Sequence, residues 1–259
     1  MKADFQFDAP GANPFAGVIA ARANPQTGSD GSGISQPPFA VGTILRGRFK
    51  SEFCLVQLTL SATTTLLNGA AVQWDKDYNA SLLTTANGVQ GYDLGHLQFQ
   101  ALNVPAGTYY VWAMQAGNGA VQMTGVANST IPETTATTGV LNFPASANTA
   151  GSKAVIAEAS YMASKAITVN TTNGSAVLSG VSNADLNDLN VGATITGAGI
   201  PAGSVIAAIN TVNGVNSVNL TNGVGGAAAT ATATATGVTA TTAGVLTASI
   251  KWPYVGKTN

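Results

Sequence analysis

The chain has 259 residues, enough for one large or two small domains, and its hydrophobic fraction of 45% excludes wholesale disorder. Only 8% of the residues are charged and the formal net charge is −1, so the chain carries no basic surface for nucleic acid or an anionic membrane. Between Ala166 and Ile250 the only ionisable side chains are Asp185 and Asp188. Such a stretch is typical of a structural or adhesive surface, because catalysis usually requires acids, bases and cations.

The N-terminal sequence and the cysteine content indicate the compartment. Residues 1–10 lack the apolar segment of a secretory signal peptide, and no window approaches the roughly 18 apolar residues of a membrane-spanning helix. Cys54 is the only cysteine, which excludes an internal disulfide and a cysteine-based zinc site, and we predict that it is a core residue. We therefore expect a protein that is made and kept in the cytoplasm, or in a particle assembled there.

Residues 1–40 are predicted to form an extended N-terminal arm. Five prolines in this segment exclude a continuous helix. Four phenylalanines are spaced among these helix breakers, and the burial of each is worth roughly 1.5–3 kcal/mol. Either they cover the protein's own core or the arm lies across a partner. On the second alternative, the candidate partner contacts are Phe5, Phe7, Phe15 and Phe39.

The segment that follows the arm is predicted to consist of short strands separated by turns. The strand candidates are residues 43–50, 52–60, 70–74, 94–102, 108–115 and 120–123. Asn68 and Gly69 predict a tight turn before the third candidate, and Gly117 and Gly119 predict another before the last. Several short strands in this arrangement predict a compact β-barrel or β-sandwich.

The second half of the chain is predicted to contain a further β module. Residues 125–150 are rich in threonine, alanine and asparagine and are predicted to be a linker. Strand candidates 154–162 and 244–252 are expected to pair, with everything between them inserted. The predicted divisions are the arm (1–40), a main β domain (41–165 plus 237–259) and an inserted small β module (166–236). The fold class is therefore expected to be mainly β.

One segment has part of the pattern of a calcium-binding loop. Asp75, Asp77 and Asn79 copy the first three ligand positions of such a loop. The sixth position then requires glycine and the twelfth requires glutamate, but Ala80 and Ala86 occupy them. The match fails, and we predict a polar turn in its place.

No other group of residues in the sequence resembles a catalytic site. His96 is the only histidine, and its place on the polar face of a strand favours a surface hydrogen bond over a role as general base. Glu133 and Glu158 stand alone, while Asp185 and Asp188 fit a turn or a short helix start. We therefore predict that the protein is not an enzyme and that it holds no cofactor or metal.

Residues 192–206 resemble a short module common in tailed-phage virion proteins, roughly Gly-x-x-Ile-x-Gly-x-Gly-Ile-Pro-x-Gly-Thr-x-Ile. Ser204 stands where the module usually has threonine. Segments 40–47, 67–75 and 106–117 resemble the small β-rich decoration, or cement, proteins of phage capsids. The resemblance implies a virion structural protein that forms a homo-oligomer, with a trimer favoured, and binds the major capsid protein. It carries no catalytic positions.

Three functional classes are compatible with the sequence. A capsid decoration protein would bind the outside of a phage head to saturation and stabilise the lattice through arm and β-domain contacts. A tail-fibre or spike subunit, the alternative, would form elongated trimers and bind the host cell surface. The absence of long repeats and the compact N-terminal β pattern favour the decoration protein. A hydrolase with an unrecognised site is the third class, and no residue pattern supports it.

Overall fold

The structure, a computed structural model, describes residues 40–47, 51–125, 132–143, 150–156, 165–186, 188–212 and 214–258. These residues are mainly β, as predicted, and the one helix among them is the four-residue α1 (Asn183–Leu186). The chain divides into two compact units, the first comprising Met1–Ser160 with Ala248–Asn259 and the second Tyr161–Thr247. Except for Ala40, the predicted arm lies outside the described residues.

The strands give the chain its architecture. In chain order they are β1 (Ile44–Arg46), β2 (Glu52–Leu60), β3 (Thr64–Leu66), β4 (Ala71–Trp74), β5 (Asn79–Leu82), β6 (Asp93–Leu97), β7 (Ala101–Val104), β8 (Gly107–Gly125), β9 (Glu133–Thr134), β10 (Leu141–Phe143), β11 (Lys153–Ile156), β12 (Lys165–Thr171), β13 (Val177–Ser179), β14 (Thr194–Gly197), β15 (Ser204–Val212), β16 (Val215–Asn222), β17 (Ala235–Ala243), β18 (Val245–Lys251) and β19 (Tyr254–Thr258). Eleven of them form one mixed sheet in the order β1-β2-β5-β4-β6-β19-β11-β9-β10-β8-β18, in which β8 also pairs with β2 and β6. β3 and β7 form a separate two-stranded sheet.

The long antiparallel pair of β2 and β8 organises the core of the first unit. On one face of the pair, Cys54, Val56 and Val111 belong to a hydrophobic cluster. On the other face, Leu55 lies opposite Trp112, and both side chains are buried. Both faces are therefore covered, which explains why this part of β2 is a continuous apolar run and not an alternating one.

The turn predicted at Gly117 and Gly119 is wrong, because both residues lie within the 19-residue strand β8. Gly117 has a φ of 109°, and a Cβ atom there would lie 2.7 Å from the Cα atom of Ser51. Glycine is required here for a close approach of two backbones. The pairing of β8 with β2 ends just before this point, where Ala116 lies opposite Glu52. Further along, from Met123, β8 pairs in parallel with β10.

Three further strand predictions are corrected by the sheet topology. The segment predicted as a linker contributes β9 and β10, which pair with each other and with β11 and β8. β11 pairs with β9 and β19, and β18 lies beside β8, so the two strands expected to pair are not neighbours. The segment predicted as one strand, 94–102, is divided into β6 and β7. Pairing between distant strands depends on tertiary packing, which the local pattern of a polar segment does not encode.

The second unit is a closed barrel with the strand order β12-β13-β16-β15-β14-β17, closed by the pairing of β17 with β12. Burial alternates along β12 and β14, where Ile167, Val169 and Ile195 are buried. Small and β-branched residues suit this arrangement because few side chains fit inside a narrow barrel. The module predicted at 166–236 covers most of the barrel but ends within β17.

Candidate functional site

The predicted partner contacts Phe5, Phe7, Phe15 and Phe39 lie outside the described residues, so their role stays a prediction. Glu158 also lies outside the described residues. The other candidate side chains can be placed one by one, and most of them have structural roles.

His96 is buried, whereas the sequence predicted a surface position. Its strand, β6, pairs with β4 and β8, where His96 is opposite Ala71 and Met114. Residues 94–97 of β6 are all buried, so both faces of this part of the strand are covered. The ring Nδ1 lies 3.1 Å from the carbonyl oxygen of Gly69. Burial lowers the pKa of His96 to about 4, against the opposing effect of that hydrogen bond. The neutral imidazole can therefore donate to the Gly69 carbonyl at pH 7 and hold the turn in place.

Cys54 and Asp75 also stabilise the fold. Cys54 is buried, as predicted, and burial, with a smaller effect of Asp93, raises the pKa of its thiol to about 12, which leaves it unreactive at neutral pH. The Oδ1 atom of Asp75 accepts hydrogen bonds from the backbone N–H groups of Asp77 at 2.8 Å and Asn79 at 3.0 Å. Desolvation raises the pKa of Asp75, but the hydrogen bonds from the side chain and backbone of Asn79 and from the backbone of Asp77 outweigh it, and the pKa is lowered. The predicted polar turn is confirmed.

Glu133 has hydrogen-bond partners that the sequence did not indicate. Its carboxylate is buried and accepts hydrogen bonds from Nδ2 of Asn142 at 2.8 Å and from Oγ of Ser152 at 2.6 Å. The residue lies on β9, opposite Asn142 of β10 and Ala154 of β11. The sequence could not reveal the cluster, because its members come from three segments whose pairing is not local.

In the barrel, Lys165 forms an ion cluster with Asp185 and Asp188. Its Nζ atom lies 2.9 Å from Oδ2 of Asp188 and 3.4 Å from Oδ1 of Asp185, and the hydrogen bond to Asp188 raises the pKa of Lys165. Oγ of Ser182 accepts a hydrogen bond from the N–H of Asp185 at 3.0 Å, so the helix start predicted there is confirmed. These are the only three Lys, Arg, Asp or Glu residues between positions 161 and 247, and the cluster therefore leaves the rest of the barrel without charged side chains.

The glycine-rich motif at residues 192–206 contains β14, the start of β15 and the turn between them. Gly203 has a φ of 78°, in the left-handed region, and a Cβ atom there would meet nothing within 4 Å. Oγ of Ser204 donates a hydrogen bond to the carbonyl oxygen of Pro201 at 2.7 Å, and threonine, the usual residue of the module, carries the same hydroxyl. The motif therefore specifies the turn between β14 and β15, two neighbouring strands of the barrel.

An exposed surface of the first unit was not predicted from the sequence. We call it the Trp252 surface, and its members are Ile44, Arg46, Glu52 and Trp252. Trp252 is 59% exposed, whereas Trp74 and Trp112 are buried. A signal was present in the sequence, since this tryptophan stands between Lys251 and Pro253 at the end of a strand, where an outward position is expected.

Hydrogen bonds hold the indole ring of the Trp252 surface in place. Nε1 of Trp252 donates to Oε2 of Glu52 at 3.2 Å, and Nε of Arg46 donates to Oε1 of the same carboxylate at 2.7 Å. The backbone N–H of Trp252 donates to the carbonyl oxygen of Gln115 at 2.7 Å. The φ of Trp252 is 45°, a left-handed value that is rare for a bulky residue. This arrangement presents an aromatic ring and a guanidinium group to solvent, and both are suited to binding another molecule.

Among the described residues, no three His, Cys, Asp or Glu side chains come together as a metal site, and no helix is long and apolar enough to cross a membrane. Comparisons of the chain with protein-family models, with curated proteins and with solved structures find no match.

Proposed function

We propose that the chain is a structural protein of a tailed-phage virion that decorates the outside of the head and stabilises the capsid lattice. In this role the major capsid protein is its partner, and the chain acts as a homo-oligomer, with a trimer favoured. The resemblance of residues 192–206 and of the segments around 40–47, 67–75 and 106–117 to virion proteins supports the proposal.

The low charge and the closure of the barrel are the main support for this proposal. The three charged side chains of the barrel lie in a single cluster, in which Lys165 pairs with both Asp185 and Asp188 and one negative charge remains in excess. A surface with so few ions, confined to one place, can be packed against neighbours elsewhere without the desolvation cost of burying charges. Because the barrel is closed, it has no free strand edges that would join other sheets. Both properties suit a protein that is present in many copies on a crowded lattice.

A decoration protein stabilises a head because it binds the assembled lattice and not the free subunits. Each bound copy then shifts the equilibrium toward the intact head by an amount set by its affinity and concentration, on the order of a few kcal/mol. This action requires contact surfaces and no chemistry.

The test compares DNA-filled heads with and without the protein during heating, with rupture followed by the access of a DNA-binding dye. We expect undecorated heads to rupture at a lower temperature, and added protein to restore the higher temperature at a saturating ratio. An unrelated β-protein at the same concentration is the control. Equal rupture temperatures, together with binding of the protein to host cells, would favour the tail-fibre or spike function.

A further inference from the structure

We propose that the Trp252 surface is a protein contact site that takes a partner surface in which an apolar pocket lies beside a carboxylate. The inference rests on the proposed function, in which that partner surface belongs to the outside of the head. It goes further because it names the contact residues and the chemistry of the surface they bind.

The backbone of Trp252 supports a role outside the core. Strained residues of this kind persist only where the surrounding structure holds them, and they cluster at sites that bind other molecules. Here the hydrogen bonds to Gln115 and Glu52 fix the backbone and the ring, yet 59% of the residue stays exposed. Packing in the core therefore does not explain why the indole ring is held at the surface. Binding in an apolar pocket of a partner would explain it.

The polar groups of the surface determine what the partner must supply. Both oxygens of Glu52 already accept a hydrogen bond, and its side chain is only 15% exposed. The side chain of Arg46 is 64% exposed, and its guanidinium group carries N–H donors besides the Nε that binds Glu52. The surface thus presents a cation with hydrogen-bond donors. A carboxylate on the partner matches this pattern, because it accepts two parallel hydrogen bonds from a guanidinium group.

A protein partner fits these groups better than a glycan does. Tryptophan and arginine are the residues most enriched among those that dominate the binding energy of protein interfaces. Ile44 adds an apolar side chain on the same face of β1 as Arg46, two residues away. A neutral sugar, in contrast, carries no charge that would pair with the guanidinium group of Arg46.

The experiment measures binding to DNA-free heads that were assembled without the protein. Wild-type protein is titrated beside Trp252→Ala and Arg46→Gln, with Leu102→Ala as the matched control because Leu102 is 46% exposed in the same unit. We expect Trp252→Ala to weaken binding by about tenfold or more and Leu102→Ala to leave it unchanged. Fluorescence of the wild-type protein provides a test without substitution. Trp252 is the exposed one of the three tryptophans, so its quenching by iodide should be lost on bound heads.

The outcomes separate this inference from the proposed function. Wild-type binding with Trp252 still quenchable, or equal binding of all variants, would overturn the inference and leave the decoration role intact. If wild-type protein does not bind heads, both the decoration role and the inference are wrong. Self-association that Trp252→Ala abolishes would assign the surface to a second copy of the chain, and binding of purified host polysaccharide that Trp252→Ala abolishes would assign it to a glycan. Either result would overturn the protein partner.

Discussion

The side chain of Gln98 pairs with the backbone of Ala120 as a neighbouring strand would. Its Nε2 atom donates to the carbonyl oxygen of Ala120 at 3.0 Å, and its Oε1 atom accepts from the Ala120 N–H at 2.8 Å. β6 ends at Leu97, which lies opposite Ala113, so the side chain of Gln98 reaches a part of β8 that lies outside the β6–β8 pairing. Ala120 is buried, so without Gln98 its N–H and C=O groups would need other hydrogen-bond partners.

This relationship predicts that Gln98 is important for stability. Gln98→Ala should lower the free energy of unfolding by about 2 kcal/mol, because it leaves a buried donor and a buried acceptor without partners. Gln98→Glu should cost more, since it replaces the donor by a charge that faces a carbonyl oxygen. Urea unfolding measures both effects. Gln90, which is exposed, provides the control, and Gln90→Ala should change stability by less than about 0.5 kcal/mol. Equal midpoints for Gln98→Ala and the wild type would contradict the prediction.

Local signals in the sequence identified the parts of the fold that depend on local structure. The bounds of β2 and the turns at Gly69 and Asp75 follow from an apolar run, an Asn-Gly pair and a short polar cluster. Gly117 shows where such signals fail. A glycine that ends a strand and a glycine that lets a strand approach another backbone look the same in a sequence.

The candidate sites were harder to predict because they depend on tertiary contacts. Both faces of β6 are buried at residues 94–97, so the alternation that placed His96 at the surface was misleading. Glu133 acquires Asn142 and Ser152 only when three short strands pair. The exposure and strained backbone of Trp252 are also tertiary properties, and the chain around it indicates only the end of a strand.

The buried His96 predicts that the protein loses stability in mild acid. Its pKa is about 4 in the folded protein and about 6.5 when unfolded, so the unfolded chain binds a proton first as the pH falls. The stabilisation is complete above pH 6.5 and is lost as the pH falls through 4. Between pH 7 and pH 5 the free energy of unfolding should therefore decrease by about 2 kcal/mol. Denaturant unfolding at the two pH values measures the difference.

His96→Asn provides the control for this pH dependence. It removes the only histidine, so any change that remains in this pH range comes from carboxylates. The variant should be less stable than the wild type at pH 7 but should lose little more at pH 5. A decrease that is equally large in His96→Asn would show that His96 does not cause it.

The turn of the glycine-rich motif at residues 192–206 predicts a difference between two substitutions at Gly203. A Cβ atom at this position meets nothing within 4 Å, so only the left-handed backbone opposes a side chain. Gly203→Ala should therefore cost about 1–2 kcal/mol, while Gly203→Asn should cost less because asparagine adopts this conformation more readily. Thermal unfolding of the two variants would measure the difference. Equal losses would point to a steric contact and not to backbone strain.

The buried carboxylate of Glu133 predicts that the hydrogen bonds matter more than the charge. Glu133→Ala leaves Ser152 and Asn142 without their acceptor and should cost about 2–3 kcal/mol. Glu133→Gln should cost less, because the amide oxygen can accept from Asn142 and the amide nitrogen can donate to the Ser152 hydroxyl. Urea unfolding ranks the two variants. If Glu133→Gln is as unstable as Glu133→Ala, the negative charge itself is required.

The chain enters and leaves the barrel at neighbouring positions, and we therefore predict that the barrel can be removed without unfolding the first unit. Lys165 on β12 is the register partner of Thr242 on β17, so their Cα atoms are separated by about 4.5–5.5 Å, the spacing of paired strands. A linker of about four glycine and serine residues can replace 165–243 and close this gap, and it leaves β18 intact. Excision at residue 236, the end of the module predicted from sequence, would instead cut β17. The shortened protein should keep a β-type circular dichroism spectrum, a cooperative unfolding transition and an exposed Trp252. An insoluble product, or unfolding without a cooperative transition, would show that the barrel completes the fold of the first unit.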